Sequence, residues 1–242
     1  MRVSDSPFDS THYDRRVAHL HADAGDGEDA LEAALEEARA RRVDVLFLRL
    51  EDRHSLRPIV ERRGTAPVDV LVTSTLTNAI LPSRSPAVAL ERHASLVRPA
   101  DVAAVEAITA AAIVRSHLHA DPRLPIDRTR RLYAQWARND VTGRGQQVFV
   151  ARVAGELVGY ISVLVAEARA IIDLVAVQPS WHGHGIGSSL LAGFLEWVAG
   201  TQLTASVGTQ ADNPALRLYA RCGFVPSATH FSYHLWLSES PP

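Results

Sequence analysis

The stretch IIDLVAVQPSWHGHGIGSSLLAGFLEWV, residues 171–198, decides the fold of this chain. Its apolar first part ends at Val177, ahead of a proline, and this pattern predicts a buried strand. A loop containing Gly183, Gly185 and Gly187 follows and leads directly into a strongly apolar helix. Glycine lets a backbone approach a ligand closely, and a helix N-terminus presents unpaired N–H groups and the positive end of the helix dipole. The stretch therefore predicts a binding site for an anion such as a diphosphate.

Three other interpretations of this loop remain open. The glycines can simply form a tight turn. A dinucleotide-binding turn is a second alternative, but Ser188 occupies the position at which that motif has its third glycine. Metal binding by His182 and His184 is the third, although no further ligand lies close to them in the sequence. We predict no metal site.

A second motif lies downstream, in VGTQADNPALRLYARCGF, residues 207–224. Asn213 starts a helix there, Tyr219 lies on the helix, and a Gly-Phe pair ends it. The two motifs, in this order and with one strand between them, resemble those of the GNAT acetyltransferase superfamily. In that superfamily a loop of the pattern Gln/Arg-x-x-Gly-x-Gly/Ala binds pyrophosphate. This sequence departs from the pattern at its first position, which is His182.

The resemblance implies a mixed α/β (α+β) protein with the GNAT acetyltransferase fold, in which the central sheet is mixed and mostly antiparallel. The preceding residues predict a smaller α/β module, because a helical pattern at 27–42 is followed by strand-like runs at 43–50 and 68–75. A proline-containing break then predicts a linker. The predicted organisation is the module at 1–80, the linker at 81–93 and the acetyltransferase domain at 94–240.

The resemblance also implies that acetyl-CoA (coenzyme A) is the cofactor and that it binds where two strands, residues 173–177 and 203–208, splay apart at their ends. A backbone N–H near Val175 or Val177 would polarise the thioester carbonyl. Asn213 would cap its helix and hydrogen-bond the pantetheine. The cofactor-binding residues implied in this way are Leu174, Val175, Ala176, Val177, His182, Gly183, His184, Gly185, Ile186, Gly187, Ser188 and Asn213.

Catalysis in this superfamily implies direct transfer, in which an amine attacks the thioester. Tyr219 is the predicted general acid, which protonates the departing sulfur. A packed tyrosine with a satisfied hydroxyl is the structural alternative. Asp173 is the predicted general base, because it lies on the strand beside the thioester. Glu167 is a second option, and an amine that is already deprotonated needs neither carboxylate.

The acceptor is indicated by HLHADP, residues 117–122, and by SPFDS, residues 6–10. Both segments resemble dTDP-fucosamine acetyltransferases, which implies that His117, His119 and Asp121 bind the acceptor, a nucleotide-linked 4-amino sugar. The same three residues can instead cap and stabilise a loop. A protein N-terminus or a small non-sugar amine is the alternative acceptor, and a non-catalytic acyl-CoA sensor is the alternative function.

The amino-acid composition limits the classes of partner and mechanism that are open to this chain. The formal net charge of -2 provides no basic field for a phosphate backbone, so we expect no nucleic-acid partner. All 25 cationic Lys and Arg side chains are arginine, which excludes a P-loop lysine and a Schiff-base mechanism. Cys222 is the only cysteine, so no internal disulfide forms.

The polar N-terminus and the short apolar runs predict a cytoplasmic protein without membrane association. The implied partner is a small-molecule amine, and the resemblance allows a homodimer.

Overall fold

The computed structural model describes residues 1–94 and 96–238. In chain order, its helices and strands are β1 (Arg2–Asp5), α1 (Pro7–Tyr13), β2 (Val17–His21), α2 (Glu28–Ala40), β3 (Val45–Glu51), α3 (Arg57–Arg62), β4 (Asp69–Leu76), β5 (Ala89–His93), α4 (Val102–Ala112), α5 (His117–Ala120), α6 (Ile126–Val141), β6 (Gln147–Val153), β7 (Glu156–Ala166), β8 (Arg169–Val177), α7 (Ile186–Ala199), β9 (Thr204–Gln210), α8 (Ala215–Arg221) and β10 (Phe224–Trp236). Within the described ranges, no helix combines the length and the apolar character that crossing a membrane requires.

The chain divides into two compact units, each assembled from segments that are distant in sequence. Unit 1 comprises Met1–Val72, Arg115–Thr129 and residues 228–238, and unit 2 comprises Thr73–Val114 and Arg130–Ser227. The predicted boundaries at residues 80 and 93 stay a prediction. Of the domain predicted over 94–240, residues 95, 239 and 240 lie outside the described residues.

Unit 1 is built on strands in the order β1-β2-β3-β10, of which β2 and β3 are parallel and the other pairs antiparallel. Side chains alternate between the two faces of a sheet. Leu20, Leu48 and Tyr233 point to the face that forms the aliphatic core together with α2. The opposite face presents His19 and Phe47 from neighbouring strands. The main aliphatic cluster therefore lies on one face, and the other face carries polar and aromatic side chains beside the buried Val17 and Val45.

Unit 2 is built on strands in the order β4-β9-β8-β7-β6-β5. The β8–β9 pair is parallel, whereas β5–β6, β6–β7 and β7–β8 are antiparallel. Helix α7 packs on β5, β6, β7 and β8, and its apolar side chains Leu190, Phe194 and Leu195 are fully buried in the core. The predicted mixed α/β class, with a mixed and mostly antiparallel central sheet, is confirmed.

Two regions differ from the sequence-based expectation. The first 26 residues already contain β1, α1 and β2, none of which was predicted from sequence patterns. Ala89–His93, inside the predicted linker, forms β5 and pairs with β6 along five residues.

Cys222 is fully buried in the core of unit 2. It follows Tyr219 closely on the chain and serves as a small apolar side chain.

Candidate active site

β8 and β9 part midway along their length. Their paired residues run from Arg169 opposite Thr204 to Ile172 opposite Val207. β8 nevertheless continues to Val177, and β9 to Gln210. We call the region between residues 173–177 of β8 and 208–210 of β9 the strand gap. The predicted parting of these two strands is confirmed.

Alternation along β8 decides which backbone groups face the strand gap. The N–H of Gln178 donates to the carbonyl of Val158 on the β7 side, at 2.8 Å. In an antiparallel pair, successive residues point their N–H groups alternately toward and away from the partner strand. The N–H groups of Val177 and Val175 therefore point away from β7 and into the strand gap, whereas those of Leu174 and Ala176 point toward β7.

A β-bulge marks the start of the strand gap. Ile172 pairs with Val163 and Leu174 with Ser162, so Asp173 is an extra residue without a partner of its own on β7. A bulge bends its strand and re-aims a side chain. Asp173 thus stands at the point where β8 leaves β9.

The glycine loop ends at the N-terminus of α7. Gly185 is the N-cap residue, in the left-handed region with φ 78°, and no side chain caps the helix. The N–H groups of Ile186, Gly187 and Ser188 occupy the first turn, where an α-helix offers no carbonyl partner. Gly183 is also left-handed, with φ 81°, and a Cβ built on it would meet nothing within 4 Å. An uncapped helix start and open space at Gly183 are features that suit the binding of an anion.

The two histidines of the loop are exposed and bond to backbone carbonyls. Nε2 of His182 donates to the carbonyl of Val177 at 2.9 Å, and Nδ1 of His184 donates to the carbonyl of His182 at 2.9 Å. Trp181 packs edge-on against the His184 ring. Within the described part of the chain, no three His, Cys, Asp or Glu side chains are grouped so that they could hold a metal ion.

Helix α8 carries Tyr219, whose side chain is only 4% exposed. Its ring packs edge-on against Phe224, in the core cluster that also contains Ile172 and Val207, the last paired residues of β8 and β9. Burial and the neighbouring Cys222 raise the pKa of the Tyr219 phenol, so that it stays protonated at neutral pH. No hydrogen bond joins its hydroxyl to another described residue.

Asn213 precedes α8 and caps it. Its Oδ1 accepts a hydrogen bond from the N–H of Ala215 at 2.9 Å, and its carbonyl accepts from the N–H of Leu216. The side-chain amide NH₂ is not used in this cap. The helix-capping part of the prediction for Asn213 is therefore confirmed, and the pantetheine contact stays a prediction.

Two carboxylates meet beside the strand gap. Asp173 accepts a hydrogen bond from the indole of Trp136 at 2.9 Å and another from Arg144. The same guanidinium nitrogen of Arg144 also bonds to Asp140, which is fully buried at the end of α6. Ser162 donates to Asp140 at 2.6 Å and accepts from the N–H of Leu174 at 3.2 Å. Burial, and then the neighbouring Asp173, raise the pKa of Asp140 to about 7.

Glu167 occupies a different place. It lies in the turn before β8 in the left-handed region, six residues ahead of Asp173. Six residues of extended strand correspond to roughly 20 Å. The two carboxylates considered as general bases are therefore not brought together, and Asp173 is the one at the strand gap.

The predicted acceptor residues lie in unit 1, on and just after α5. His117 and Asp121 are linked through His234 of β10, which bonds to both of them. His119 instead bonds through Nδ1 to the hydroxyl of Ser116 at 2.7 Å. The structure thus brings His117 and Asp121 into one network, whereas the hydrogen bond described for His119 joins it to Ser116.

Comparison with known proteins identifies the fold around the strand gap. The sequence profile of the Acetyltransferase (GNAT) family matches residues 112–224, which include the glycine loop and α8. Residues 112–224 of the chain therefore match a GNAT acetyltransferase domain.

Relatives of the GNAT domain were found among characterised proteins and solved structures. The chain is 35% identical over 141 residues to spore coat polysaccharide biosynthesis protein SpsD of Bacillus subtilis (strain 168), covering 57% of this chain and 48% of SpsD. It is 38% identical over 89 residues to mycothiol acetyltransferase of Streptomyces bingchenggensis (strain BCW-1), covering 35% of this chain and 29% of that enzyme. The chain thus spans less than half the length of either relative.

A solved structure shows the same fold. The GCN5-related N-acetyltransferase from Sphaerobacter thermophilus superimposes with a TM-score of 0.67 at 14% identity, covering 97% of this chain and 76% of that one. At this level of identity the likeness establishes the fold alone. The predicted GNAT fold is confirmed.

Sequence reasoning missed Asp140, Arg144 and His234. Asp140 lies in the last turn of α6, where the helix dipole disfavours an acid. An acid that violates this local preference is a signal that could have marked the position as a special one. His234 alternates with apolar residues on β10 and gives no such signal, because its partner Asp121 lies 113 residues away in sequence.

Proposed function

We propose that the protein is an acetyl-CoA-dependent N-acetyltransferase that transfers acetyl directly to the primary amine of an amino sugar, such as the 4-amino group of a dTDP-linked sugar. The strand gap carries this proposal, because it leaves the N–H groups of Val175 and Val177 without a strand partner beside an uncapped helix N-terminus. A ligand with a diphosphate at one end and an amide-rich arm at the other matches both features.

The residues that would hold the cofactor are those of the glycine loop and of β8. The amides of Ile186, Gly187 and Ser188 offer donors for a diphosphate, and the exposed loop leaves room for it. Val175 and Val177 offer backbone groups for the pantetheine arm. The half-buried amide of Asn213 offers a further donor at the start of α8. Acetyl-CoA, when bound, supplies an acetyl group activated as a thioester.

Each chemical role falls to a group with suitable chemistry. The N–H of Val175 would donate to the thioester carbonyl oxygen, where negative charge develops. Tyr219 keeps its proton because burial raises its pKa, and it would donate a hydrogen bond to the departing sulfur. Asp173 accepts the proton of the attacking amine, and its neighbour Asp140 holds or releases a proton near neutral pH.

The likeness to SpsD supports a sugar acceptor, since that protein is named for polysaccharide biosynthesis. The experiment that tests the proposal is a thiol-release assay with acetyl-CoA and a panel of amines. We expect turnover with dTDP-linked 4-amino sugars that exceeds turnover with peptide N-termini, polyamines and aminoglycosides. Preferred turnover with a peptide or a non-sugar amine would leave an N-acetyltransferase with a different acceptor. Tight coenzyme binding without turnover on any amine would indicate a sensor and would overturn the proposal.

A further inference from the structure

Unit 1 carries a row of rings across one face of its sheet. His19 on β2 is opposite Phe47 on β3, and Phe47 is in turn opposite His234 on β10. The Phe47 ring meets His19 edge-on at 5.7 Å between centroids and is tilted over His234 at 4.3 Å. His117 of α5 also packs edge-on against Phe47, at 5.3 Å. The main aliphatic cluster of unit 1 lies on the other face of the sheet.

A chain of hydrogen bonds fixes His117. Oδ2 of the buried Asp121 accepts from Nδ1 of His234 at 2.8 Å and from the indole N–H of Trp236 at 2.8 Å. Oδ1 accepts from the backbone N–H of Arg123 at 3.0 Å. Nε2 of His234 then bonds to Nδ1 of His117 at 2.9 Å. We call Asp121, His234 and His117 the imidazole relay.

Protonation states in the imidazole relay follow from these partners. Although burial raises the pKa of Asp121, the hydrogen bonds from His234, Arg123 and Trp236 outweigh it and hold that pKa well below its usual range. Asp121 is therefore a carboxylate that only accepts. Burial lowers the pKa of His234 and lowers that of His117 further, so both imidazoles are neutral at neutral pH.

A single tautomer satisfies every bond of the imidazole relay. His234 donates from Nδ1 to Asp121, so its Nε2 has a lone pair and accepts. His117 must then donate from Nδ1, which leaves its Nε2 as a bare acceptor. No described residue hydrogen-bonds this nitrogen, and His117 is only half-buried. Asp121 orients His234, and His234 in turn orients His117. Such a chain of hydrogen bonds holds Nε2 of His117 in a fixed position for a ligand.

A second acceptor lies on the other side of Phe47. Asp9 accepts from Nε2 of His19 at 3.2 Å and from the hydroxyl of Ser6 at 2.5 Å. In the singly protonated imidazole this bond leaves Nδ1 of His19 as an acceptor, and the His19 side chain is 42% exposed. Phe47 is thus flanked by two imidazoles whose available nitrogens accept hydrogen bonds. Such a site suits a ligand rich in O–H and N–H donors better than it suits phosphate, which has only one or two O–H donors at neutral pH.

We propose that Nε2 of His117, positioned by His234 and Asp121, binds a hydroxyl or amine N–H of an amino sugar. This inference rests on the proposed function, of which it names the acceptor-binding residue. His117 touches the ligand, whereas His234 and Asp121 are positioning residues that act through it.

Nitrogen-15 NMR of histidine-labelled protein tests the inference without any turnover. In the free protein we expect His117 to be protonated on Nδ1 and bare on Nε2. Titration with glucosamine or dTDP-fucosamine should shift the His117 Nε2 resonance upfield, whereas inorganic phosphate and dTDP alone should leave it in place. An unchanged resonance with both amino sugars, or an equal shift with phosphate, would overturn the inference.

Two substitutions of His117 distinguish ligand binding by Nε2 from the structural hydrogen bond that Nδ1 makes to His234. The amide of Asn in His117→Asn can replace the Nδ1 donor to His234 but not Nε2, whereas the longer Gln in His117→Gln reaches the Nε2 position. We expect His117→Asn to raise the acceptor KM roughly tenfold and His117→Gln to recover part of that loss. The KM for acetyl-CoA should stay unchanged in both. Equal acceptor KM values for wild type and both variants would assign the imidazole relay to structure alone.

The positioning residues have their own readout. In Asp121→Asn the amide cannot accept from every donor around it, so His117 should populate both tautomers in the NMR spectrum. His12→Ala serves as the control, because the hydrogen bond described for His12 is local and goes to the carbonyl of Phe8; it should change neither the His117 resonances nor the acceptor KM. If no amine is acetylated but the His117 resonance responds to amino sugars, the proposed function fails while the binding site stands.

Discussion

Asp140 and Asp173 bind the same guanidinium nitrogen of Arg144, one from the end of α6 and the other from the bulge of β8. Asp140 is fully buried and Asp173 is half-buried, so one carboxylate of the pair lies in the protein interior and the other lies beside the strand gap. One arginine cannot neutralise two carboxylates. The pair therefore retains a proton up to about pH 7, which is the value that the pKa of Asp140 reaches.

This pair predicts the pH dependence of turnover. We expect kcat/KM for the amine to rise as the pair loses its proton near pH 7, once the amine's own titration has been accounted for. Asp173→Asn removes the closest negative charge, so the titration of Asp140 should move to lower pH and turnover should fall. The measurement is kcat/KM between pH 5 and 9. A profile that Asp173→Asn leaves unshifted would exclude the pair from proton transfer.

The same proton predicts how stability depends on pH. The pKa of Asp140 is raised in the folded state, so between about pH 4 and 7 the folded protein binds a proton that the unfolded chain has lost. The free energy of unfolding should therefore decrease as pH rises through this window. Asp140→Asn should flatten the decrease, and Glu36→Gln, on the exposed side of α2, should not. Urea unfolding at pH 4.5 and 7.5 checks this, and equal slopes for both variants would contradict it.

Tyr219→Phe tests the proposed donor to the sulfur. Phenylalanine keeps the packing against Phe224 but loses the hydroxyl, so kcat should fall roughly a hundredfold while coenzyme affinity stays nearly unchanged. Tyr13→Phe is the matched control, since Tyr13 is also buried and bonds to Thr129 in unit 1. Steady-state kinetics and calorimetric coenzyme binding provide the readouts. An unchanged kcat would remove Tyr219 from the reaction.

Gly185→Ala tests the glycine loop. Its φ of 78° costs a residue with a Cβ about 1–2 kcal/mol. That Cβ would also lie 3.2 Å from Cβ of Ser85, closer than normal contact. We expect weaker coenzyme binding together with a loss of stability. Gly64→Ala is the control, because Gly64 has φ 83° with nothing within 4 Å and lies outside the loop. Equal coenzyme affinity in both variants would argue against diphosphate binding at the loop.

Local patterns in the sequence predicted the parts of the structure that local physics determines. The helix expected after the glycine loop is α7, because its apolar spacing and its glycine boundaries are properties of the segment itself. The strand gap followed from family resemblance, and β-sheet pairing confirmed it. The five-residue β2 escaped prediction, since its His19 and His21 alternate with apolar residues over too short a run to stand out.

The rest depends on contacts between distant segments. Asp121 and His234 meet only because β10 returns to β3 at the end of the chain. Asp140 gains its raised pKa from burial and from Asp173, and neither is visible from its neighbours in sequence. The need for glycine at position 223 also comes from a distant segment. A Cβ on Gly223 would lie 1.7 Å from the carbonyl oxygen of Asn78, and no local sequence pattern reveals that close approach.

The bond from His182 to the last carbonyl of β8 gives the site a mechanical property. The His182 imidazole connects two elements by a hydrogen bond. One is the loop that is proposed to bind the diphosphate end of the cofactor, and the other is the strand that is proposed to align its thioester end. Loosening either element would disturb the other, so tight anchoring and correct alignment are not independently adjustable. Any variant that frees this ring is expected to change affinity and rate together.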